Sequence, residues 1–597
     1  MCGIFCYVCR AKNYQVSGTT DSRSEEIFTY VQWEKCKDAT NARGPDGVTD
    51  ITQQLTKEWN GHFAASVLWM QGSRLVLQPC VDVNGNILLW NGDIFNGNLA
   101  SDKDCDTLTV LRNFNSSQNV IATLLKIQGP YSFIYFDNLN NRLYFGRDPF
   151  GRHSLLIKLS DDKDSLTLCS VGNKNMTNVV EVPAIGIFIC DLNSEELNLA
   201  CYPWKEPNLR FTDIIEELEA NLNMDIDVRE TIVQPEINLS LHLDPEIKDL
   251  EYLNNIDCNQ SFNAIMQQLL DNDKVHRRVE NILRLLKNSV EVRVKKKPNY
   301  CRNCVRLHLS GEQVNCKHAK IGILFSGGLD SALLAVLADQ FVPENEEIDL
   351  LNVAFEKIVN PNLNGTKEIE PVNYDVPDRK TGRQTYAELE RICPNRKWNF
   401  IEVNVTQLEL RKYRSSHICN LVYPRRTILD DSLGCAVWFA SKAKGILTPT
   451  GHPYESSSRI LLLGMGADEL FGGYMRHRTT LKHKGWGTLT QELKVELERI
   501  SERNLGRDDR IVSDHGRQSR LPYLDENLVT YVQSLKPWER CYPTDQMPVG
   551  LGDKLLLRLV ARRLGLQSTA NFPKRAFQFG SRIANSKENA KDISERL

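Results

Sequence analysis

The amino-acid sequence predicts an α/β protein with two differently built parts, a layered β domain followed by an α/β domain with a parallel sheet. Up to about residue 205, short apolar runs such as 131–136 and 143–145 are separated by Asn, Gly and Asp turns. This spacing is typical of strands with few helices. After residue 320, apolar strand-like runs alternate with helical stretches, which is typical of a parallel sheet with crossover helices.

The length of 597 residues is enough for two or three domains of ~100–250 residues each. We expect one domain over 1–205 and another over 301–597. The sequence between them, 206–300, is acidic and weakly patterned, and we expect it to be a connecting region. It ends in a predicted helix, because the apolar residues of 279–290 recur at helical spacing.

The composition excludes several classes of protein. A net charge of −3, with 41% hydrophobic and 25% charged residues, argues against nucleic acid as the main partner. The apolar runs are far shorter than the ~20 residues of a membrane helix, and the N-terminus lacks a signal peptide's features. Seventeen scattered cysteines then indicate reduced thiols in a cytoplasmic protein. The oligomeric state is left open.

The second residue is a cysteine, in a Met-Cys-Gly-Ile-Phe start. Removal of the initiator methionine would leave the Cys2 thiol and a free α-amino group on one carbon. Such an amine titrates near pH ~7.7–8.0, so its neutral fraction can act as the base for the thiol nucleophile. Many chains begin with Met-Cys by chance, so this hypothesis depends on motifs further along the chain.

A nucleotide-binding loop is predicted at 326–331. The apolar run 321–325 leads into Ser-Gly-Gly-Leu-Asp-Ser, and a helical stretch follows. The glycines allow a tight turn with converging amide groups, and the helix N-terminus adds positive potential, which suits phosphate. Because no lysine follows the glycines, this is not the common phosphate loop. It resembles the pyrophosphatase loop of adenylylating enzymes; the alternative is a structural glycine turn.

Two later segments supply charged groups for the same site. The strand-like run 461–463 is followed by a glycine turn and the acidic pair Asp468 and Glu469, at the sheet edge where ligands collect. Asp330 and Asp468 are predicted magnesium ligands, because hard cations bind carboxylate oxygens. Glu469 could equally be a buried structural partner. Lys574 could neutralise pyrophosphate, or it could be a solvated surface residue.

These segments, in this order, resemble the glutamine-dependent asparagine synthetase family. The glutaminase-like motifs are Cys-Gly-Ile at 2–4, Arg-Gly-Pro-Asp at 43–46, Asn-Gly-Asp-Ile-Phe at 91–95 and Arg-Asp-Pro-Phe-Gly-Arg at 147–152. The synthetase-like motifs are 326–331, 466–474, 520–525 and Lys574. Stretches at 90–92, 376–379, 429–440 and 504–510 resemble a divergent branch of the family. The resemblance leaves out about 206–280, 295–318 and an insert at about 357–385.

The resemblance implies an N-terminal-nucleophile glutaminase of α-β-β-α layering over 1–205, a type 2 glutamine amidotransferase domain. It implies that Cys2 attacks the glutamine side-chain amide, which gives a thioester and ammonia. Asn91 through its side-chain amide and Gly92 through its backbone amide would stabilise the oxyanion, and one such donor can contribute ~3–4 kcal/mol. The alternative is that Asn91 and Gly92 form a hairpin turn.

The resemblance also implies the residues that hold glutamine. Arg43 would bind the α-carboxylate in a charge-assisted, fork-like contact. Asp93 and Asp106 would bind the α-ammonium group. The family has a glutamate where this chain has Asp93, so the carboxylate reaches one methylene less far while its charge is kept.

For the second domain, the resemblance implies an ATP-pyrophosphatase that uses ATP and Mg²⁺. The implied ATP and pyrophosphate contacts are Leu324, Ser326, Gly327, Gly328, Asp330, Ser331, Val353, Leu463, Gly464 and Lys574. The family's glutamate between two glycines is replaced by Met465, and a thioether cannot accept a proton. Asp430 and Asp431 replace a basic substrate segment and would repel aspartate unless a metal or arginine intervened. Alternatively, Asp431 or Ser432 is only a helix N-cap.

A possible metal site lies in the apparent insertion before the nucleotide loop. Cys301 and Cys304 have the Cys-x₂-Cys spacing of tetrahedral zinc sites, and Cys316 and His318 follow as a tighter pair. The alternative is a group of reduced cysteines that binds no metal. Four protein ligands would close the coordination sphere, so a zinc ion here would be structural.

These observations predict an enzyme of asparagine biosynthesis, in which a glutaminase feeds ammonia to an ATP-dependent ligase. Its expected substrates are glutamine, ATP and aspartate. Two alternatives stay open because of Met465 and the acidic pair at 430–431. One is a ligase of the same chemistry with another carboxylate acceptor. The other is a pseudo-synthetase that binds ATP or glutamine and acts as a regulatory or scaffolding protein.

Overall fold

The structure, a computed structural model, describes residues 2–11, 24–101, 104–117, 119–231, 244–257, 259–357, 373–548, 550–584 and 588–597. It is a mixed α/β protein with three sheets, which confirms the prediction that the chain is α/β overall. The predicted insert at about 357–385 lies outside the described residues over 358–372. Within the described ranges, no helix has both the length and the apolar character needed to cross a membrane.

The N-terminal region, residues 2–231, contains thirteen described strands and four described helices. The strands are β1 Gly3–Arg10, β2 Gly47–Gln54, β3 Trp59–Val67, β4 Cys80–Val81, β5 Ile87–Gly92, β6 Tyr131–Asp137, β7 Arg142–Arg147, β8 Leu156–Leu159, β9 Ser165–Cys169, β10 Val180–Glu181, β11 Gly186–Asp191, β12 Asn198–Pro203 and β13 Ile226–Val228. The helices are α1 Ser24–Arg43, α2 Asp106–Ser117, α3 Val120–Leu124 and α4 Leu209–Leu222.

Two sheets of this region pack face to face, with strand orders β10-β8-β9-β1-β3-β2 and β13-β12-β11-β7-β6-β5-β4. Between them lies an apolar core that includes Phe63 and Phe145. On the outer face of the first sheet, Phe5 packs near Trp33 of α1. On the outer face of the second, Phe133 packs with Phe114 of α2. The layers therefore run helix, sheet, sheet, helix.

The C-terminal region, residues 244–597, surrounds a third sheet. Its strands are β14 Ile321–Leu324, β15 Ile348–Phe355, β16 Trp398–Val405, β17 Lys444–Thr448, β18 Pro453–Glu455, β19 Ile460–Leu462 and β20 Gln518–Arg520. The order is β18-β17-β16-β15-β14-β19-β20. Five neighbouring strands, β16, β15, β14, β19 and β20, are parallel to one another, as predicted. Strands β17 and β18 add an antiparallel edge next to β16.

Sixteen described helices accompany this sheet, with short 3₁₀ and π turns at Arg414–Ile418, Ser501–Leu505, Pro522–Leu524 and Thr569–Asn571. The helices are α5 Ile247–Asn254, α6 Phe262–Leu270, α7 Asp273–Lys295, α8 Cys304–Leu309, α9 Leu329–Asp339, α10 Pro377–Ile392, α11 Gln407–Tyr413, α12 Cys419–Val422, α13 Ile428–Lys442, α14 Ala467–Phe471, α15 Met475–Glu498, α16 Gly506–Ser513, α17 Glu526–Ser534, α18 Pro537–Arg540, α19 Leu555–Arg563 and α20 Phe577–Gly580.

The stretch between the two predicted domains is divided between the regions. Phe211 and Ile215 of α4 belong to the core between the first two sheets. The predicted helix at 279–290 is confirmed as α7, and its buried Val279 and Leu286 join the core of the C-terminal region. The apolar face of amphipathic α7 thus packs this stretch against the helices that accompany the third sheet.

Buried ion pairs join the two regions. Arg43 Nη2 donates to Asp509 Oδ2 at 2.8 Å, with both side chains at most 1% exposed. Arg459 Nη2 lies 2.5 Å from Asp46 Oδ2, with both groups equally buried. Charges buried this deeply are costly without a partner. The two regions are therefore held in one arrangement in which these partners meet.

Candidate active sites

Cys2 lies where β1 begins, buried against β5. The Cys2 backbone nitrogen donates to Asn91 Oδ1 at 2.8 Å. Asn91 and Gly92 are strand residues paired with Ser132 and Tyr131 of β6, so the alternative that they form a hairpin turn is wrong. A Cβ atom at Gly92 would lie 2.6 Å from Tyr131 Cβ, so only glycine fits there.

A small cavity adjoins the Cys2 thiol, and we call it the Cys2 cavity. It is lined by Cys2, Trp69, Gln71, Gln78 and Asp93, among others. Its volume of about 40 Å³ accommodates only about three water molecules, far less than a glutamine. Gln78 Nε2 lies 3.7 Å from Cys2 Sγ, and Gln71 donates to Asp93. Both glutamine side chains line the cavity, next to the thiol and to a predicted glutamine-binding residue.

The two predicted ammonium-binding carboxylates, Asp93 and Asp106, both line this cavity. Burial acts to raise the pKa of Asp93, but Arg520 and other donors outweigh it, so the pKa is lowered. Burial, and then the charge of Asp93, raise the pKa of Asp106 to about 8. Asp106 also accepts from the Ile94 backbone amide at 2.6 Å. Near neutral pH, Asp93 is therefore ionised and Asp106 is mostly protonated, and a cation bound beside them would favour ionisation of Asp106.

Arg43 does not line the Cys2 cavity. Its Nε donates to the Cys2 carbonyl at 3.2 Å, and its Nη2 is bound to Asp509. Asp509 also bonds to His153 Nδ1 at 2.8 Å. Burial opposes ionisation of Asp509, but Arg43 and His153 lower its pKa. Arg43 Nη1 is buried with no hydrogen-bond partner among the described residues, so one donor remains for a ligand.

The predicted nucleotide loop has the strand–turn–helix form that the sequence indicates. It joins β14 to α9, with Gly328 as the helix N-cap. Gly327 has a φ of +76°, and a Cβ atom there would lie 2.5 Å from Gly382. Both its conformation and its close contact therefore require glycine. The loop opens into a cavity of about 220 Å³, the loop cavity, lined by Ser326, Gly328, Asp330 and Lys574 among others.

The two predicted magnesium ligands lie on either side of one lysine. Lys554 Nζ is 2.7 Å from Asp330 Oδ2 and 2.7 Å from Asp468 Oδ1. Lys574 also pairs with Asp468, so it belongs to the site and is not free surface. Burial opposes the charges, yet these lysines lower the pKa of Asp468. The two carboxylates therefore converge on the Lys554 ammonium group, and a hard cation bound by both of them would take its place.

The other predicted ATP contacts lie at the same sheet edge, but outside the cavity lining. Gly464 approaches Asp330, because a Cβ atom there would lie 3.0 Å from Asp330 Cβ. Ser331 Oγ donates back to the Gly328 carbonyl at 3.2 Å. The remaining three are apolar. Leu324 ends β14 and is half-buried, whereas Val353 in β15 and Leu463 directly after β19 are buried.

The acidic pair 430–431 is structural. Asp430 accepts from Arg507 Nη1 at 2.7 Å, and Asp431 pairs with Arg414 and Arg596, each at 2.9 Å. The arginines thus neutralise the charges that we expected to repel aspartate. The alternative that Asp431 or Ser432 caps the helix is wrong, because α13 begins earlier and Thr427 is its N-cap. Glu469 is buried and accepts from Tyr474 Oη at 2.5 Å, which favours a structural role.

A short segment, 518–525, connects the two cavities. At one end, Gln518 Nε2 donates to Asp93 Oδ2 at 2.7 Å, and Arg520 Nη2 lies 3.4 Å from Asp93 Oδ1. Further along, Tyr523 Oη donates to the Asp330 carbonyl at 3.0 Å. One continuous stretch of chain therefore contacts a predicted glutamine-binding residue and a predicted metal ligand.

The predicted zinc ligands come together as a cluster. The ligand atoms of Cys301, Cys304, Cys316 and His318 all lie within 4.8 Å of one another. Cys301 and Cys304 are buried, Cys316 is partly exposed and His318 is exposed. Over the described residues the cysteines form no disulfide.

Sequence reasoning missed several residues of these sites: Gln71, Gln78, His153, Asp509, Gln518 and Lys554. Most act through partners that are distant along the chain, and no local pattern marks them. Lys554 has one signal, since it directly precedes the amphipathic helix α19. Its φ of +53° is rare for a residue with a side chain.

Comparison with known proteins identifies the family. The asparagine synthase family profile matches residues 478–597. A mouse (Mus musculus) protein described as asparagine synthetase domain-containing protein 1 is 38% identical over all of this chain and 99% of its own length. The Drosophila melanogaster asparagine synthetase domain-containing protein CG17486 is 36% identical over the full length of both. The chain belongs to the asparagine synthetase domain-containing family.

Membership of the asparagine synthetase domain-containing family confirms the resemblance that the motifs indicated. A solved glutamine phosphoribosylpyrophosphate amidotransferase from B. subtilis, in complex with ADP and GMP, is 12% identical. The match covers 67% of this chain and 81% of that chain, with a TM-score of 0.25. This likeness is too low to support an argument about the present chain.

Proposed function

We propose that the chain is a glutamine-dependent ligase that releases ammonia at Cys2 and uses it, with ATP, to convert a carboxylate into an amide. The observation that carries the proposal is the segment 518–525, which contacts Asp93 at one site and Asp330 at the other. A chain that coupled two reactions would need such a connection. Aspartate is the default acceptor, and asparagine the product.

In the proposed first reaction, Cys2 Sγ attacks the glutamine side-chain carbonyl. Burial raises the pKa of the Cys2 thiol, so its proton must pass to a base, and the α-amine is held nearby once Met1 is removed. Asn91 fixes the Cys2 nitrogen, and the Gly92 amide would bind the oxyanion. Ammonia leaves, and water then hydrolyses the thioester to glutamate.

In the proposed second reaction, the acceptor carboxylate attacks the α-phosphate of ATP, which releases pyrophosphate. The loop 326–331 and Lys574 would hold the phosphates. Asp330 and Asp468 would hold Mg²⁺, which supplies positive charge to the phosphate oxygens, while Lys554 would lie beside the leaving pyrophosphate. Ammonia then attacks the acyl-adenylate, which gives the amide and AMP.

The test is a pyrophosphate-release assay with glutamine, ATP and a panel of small carboxylates, on full-length protein whose N-terminus is checked by mass spectrometry. We expect release with aspartate and equimolar asparagine. Cys2→Ala should lose glutamine-dependent turnover and keep ammonia-dependent turnover. Asp330→Asn should lose both. A retained Met1, or glutamine hydrolysis that persists in Cys2→Ala, would contradict the proposed nucleophile.

Two further candidate functions have specific support. Met465 lies where the family has a proton-accepting glutamate, which favours a ligase with another carboxylate; pyrophosphate release with an acceptor other than aspartate would identify it. The small volume of the Cys2 cavity and the Arg43–Asp509 pair favour a binding protein instead. Protection by ATP against thermal unfolding, with no turnover on any carboxylate, would identify that function.

A further inference from the structure

The cluster of Cys301, Cys304, Cys316 and His318 has the dimensions of a tetrahedral metal site. The three sulfur atoms lie 3.6, 3.4 and 3.9 Å from the same ring nitrogen, His318 Nδ1. In a tetrahedral site with Zn–S of about 2.3 Å and Zn–N of about 2.0–2.1 Å, the sulfur–nitrogen separation is about 3.6 Å. The side chains are thus already at ligand spacing.

Hydrogen bonding alone does not explain this arrangement. A neutral imidazole nitrogen accepts one hydrogen bond or donates one, so His318 Nδ1 cannot satisfy three thiols at once. A divalent cation at the centre would be bound by all four atoms together. Soft thiolate ligands with one imidazole select zinc among the common divalent ions.

Backbone amides also point at the sulfur atoms. Cys304 N donates to Cys301 Sγ at 3.4 Å, and Cys301 N donates to Cys316 Sγ at 3.2 Å. Such amide donors favour the thiolate form, which is the form that binds metal. With four protein ligands the site has no open position, so the ion would not act on a substrate.

Stacked aromatic rings connect the cluster to the lining of the Cys2 cavity. Tyr300 precedes Cys301, and His308 lies on α8, which begins at Cys304. The two rings stack with centroids 4.2 Å apart, and His308 stacks on Trp69 at 5.8 Å. Trp69 lines the Cys2 cavity. A metal that fixes Cys301 and Cys304 would therefore fix the ring that supports this wall.

We propose that Cys301, Cys304, Cys316 and His318 bind one structural Zn²⁺, and that this ion holds Tyr300 and His308 against Trp69 at the Cys2 cavity. Neither claim depends on the chemistry proposed above. Zinc binding would link the start of α8 to the segment 316–318, in which Cys316 is partly exposed and His318 is exposed.

The first test is metal content of the full chain, purified without chelator and measured by plasma mass spectrometry. We expect about one zinc per chain, and at least a tenfold loss in Cys316→Ser and in His318→Ala. Both positions are at least partly exposed, so the variants should fold, which circular dichroism would check. Cys419→Ser, a buried cysteine outside the cluster, is the matched control and should keep its zinc.

Cobalt(II) substitution provides a second readout. A site with three thiolates should show sulfur-to-cobalt charge-transfer absorption that Cys316→Ser weakens and Cys419→Ser does not. Less than a tenth of a zinc per chain after incubation with zinc and dialysis would overturn the metal site. Equal zinc content in the wild type and in both cluster variants would do the same.

The second claim is tested by hydrogen exchange with and without zinc. Removal of the ion should speed amide exchange at least tenfold in 300–309 and also in 68–71, whereas β15 should not change. His308→Ala should give the faster exchange at 68–71 while zinc is retained. Faster exchange confined to 300–318 would leave the metal site standing and overturn the link to Trp69.

Discussion

The Cys2 cavity and the loop cavity differ in how far each is prepared for a substrate. The loop cavity is about 220 Å³ and is lined by Asp330, Lys554 and Lys574, and both lysines also pair with Asp468. The Cys2 cavity is only about 40 Å³, and the side chains of Gln71 and Gln78 line it. Arg43, its predicted carboxylate ligand, is bound to Asp509.

The two cavities also differ in which regions supply their charged groups. At the loop cavity, the lysine and aspartate side chains all belong to the C-terminal region, and they neutralise one another. In the Cys2 cavity, Asp93 and nearby Arg43 are neutralised by Arg520 and Asp509 of the other region. A ligand could therefore replace ion-pair partners at the loop cavity within a single region. At the Cys2 cavity, we expect a ligand to require a shift of one region relative to the other, or a movement of Gln71 and Gln78.

The largest effect is expected at the loop cavity. Lys554→Met would leave Asp330 without its lysine partner and Asp468 with Lys574 only, and loss of one partner of a buried pair costs about 3–5 kcal/mol. We expect a large fall in the thermal midpoint and partial recovery with Mg²⁺. Lys494→Met, at an exposed lysine, should change the midpoint little. A fall that Mg²⁺ does not reverse would contradict the view that the aspartates can bind a cation.

Asp509→Asn is the corresponding change at the Cys2 cavity. It leaves buried Arg43 without its counter-ion, and we expect a loss of about 2–4 kcal/mol in the free energy of unfolding by urea. Glu502→Gln removes a partly exposed pair with Arg210, also between the regions, and should cost less than about 1 kcal/mol. Equal costs would show that the buried pair does not hold the regions together.

Asp106→Asn should change how stability depends on pH. The folded-state pKa of Asp106, about 8, lies above its ordinary value of 3.8, so the folded chain keeps a proton that the unfolded chain loses. Stability is therefore lost as pH rises from about 4 to 8. The variant should remove part of this loss, on the order of 1–3 kcal/mol, in thermal melts across that range. Asp104→Asn, at an exposed aspartate, should leave the slope unchanged.

The smallest effect is expected from Gln71→Ala. Loss of this side chain enlarges the Cys2 cavity, so alkylation of Cys2 by iodoacetamide, followed by peptide mass spectrometry, should become about threefold faster. That factor corresponds to about 0.6 kcal/mol. Exposed Gln54, the last residue of β2, provides the control, Gln54→Ala. Unchanged labelling would show that Gln71 does not close the cavity.

Local patterns predicted the features that depend on neighbouring residues. The loop at 326–331 and the helix α7 follow from glycine conformation and from helical spacing, and both are as expected. The antiparallel edge formed by β17 and β18 was not predicted, because short strands of mixed burial carry a weak pattern. The N-cap of α13 was placed too late, since Asp431 and Ser432 are good capping residues although Thr427 performs that role.

The candidate sites were predictable only in part, for a related reason. Cys2, Asn91 and Asp330 were found because short motifs contain them. The partner of Arg43 was not, because Asp509 is 466 residues away along the chain and only the folded arrangement brings them together. Similarly, Lys554 was missed because its partners Asp330 and Asp468 are distant along the chain, and its position before α19 does not by itself indicate them.

The segment 518–525 has a consequence for dissecting the molecule. Because Gln518 and Arg520 complete the surroundings of Asp93, a fragment that ends before residue 301 would expose an aspartate without its counter-ion. The complementary fragment would expose Arg520 in turn. Neither fragment would contain the complete surroundings of Asp93, so we expect a test of either proposed reaction to require the full chain.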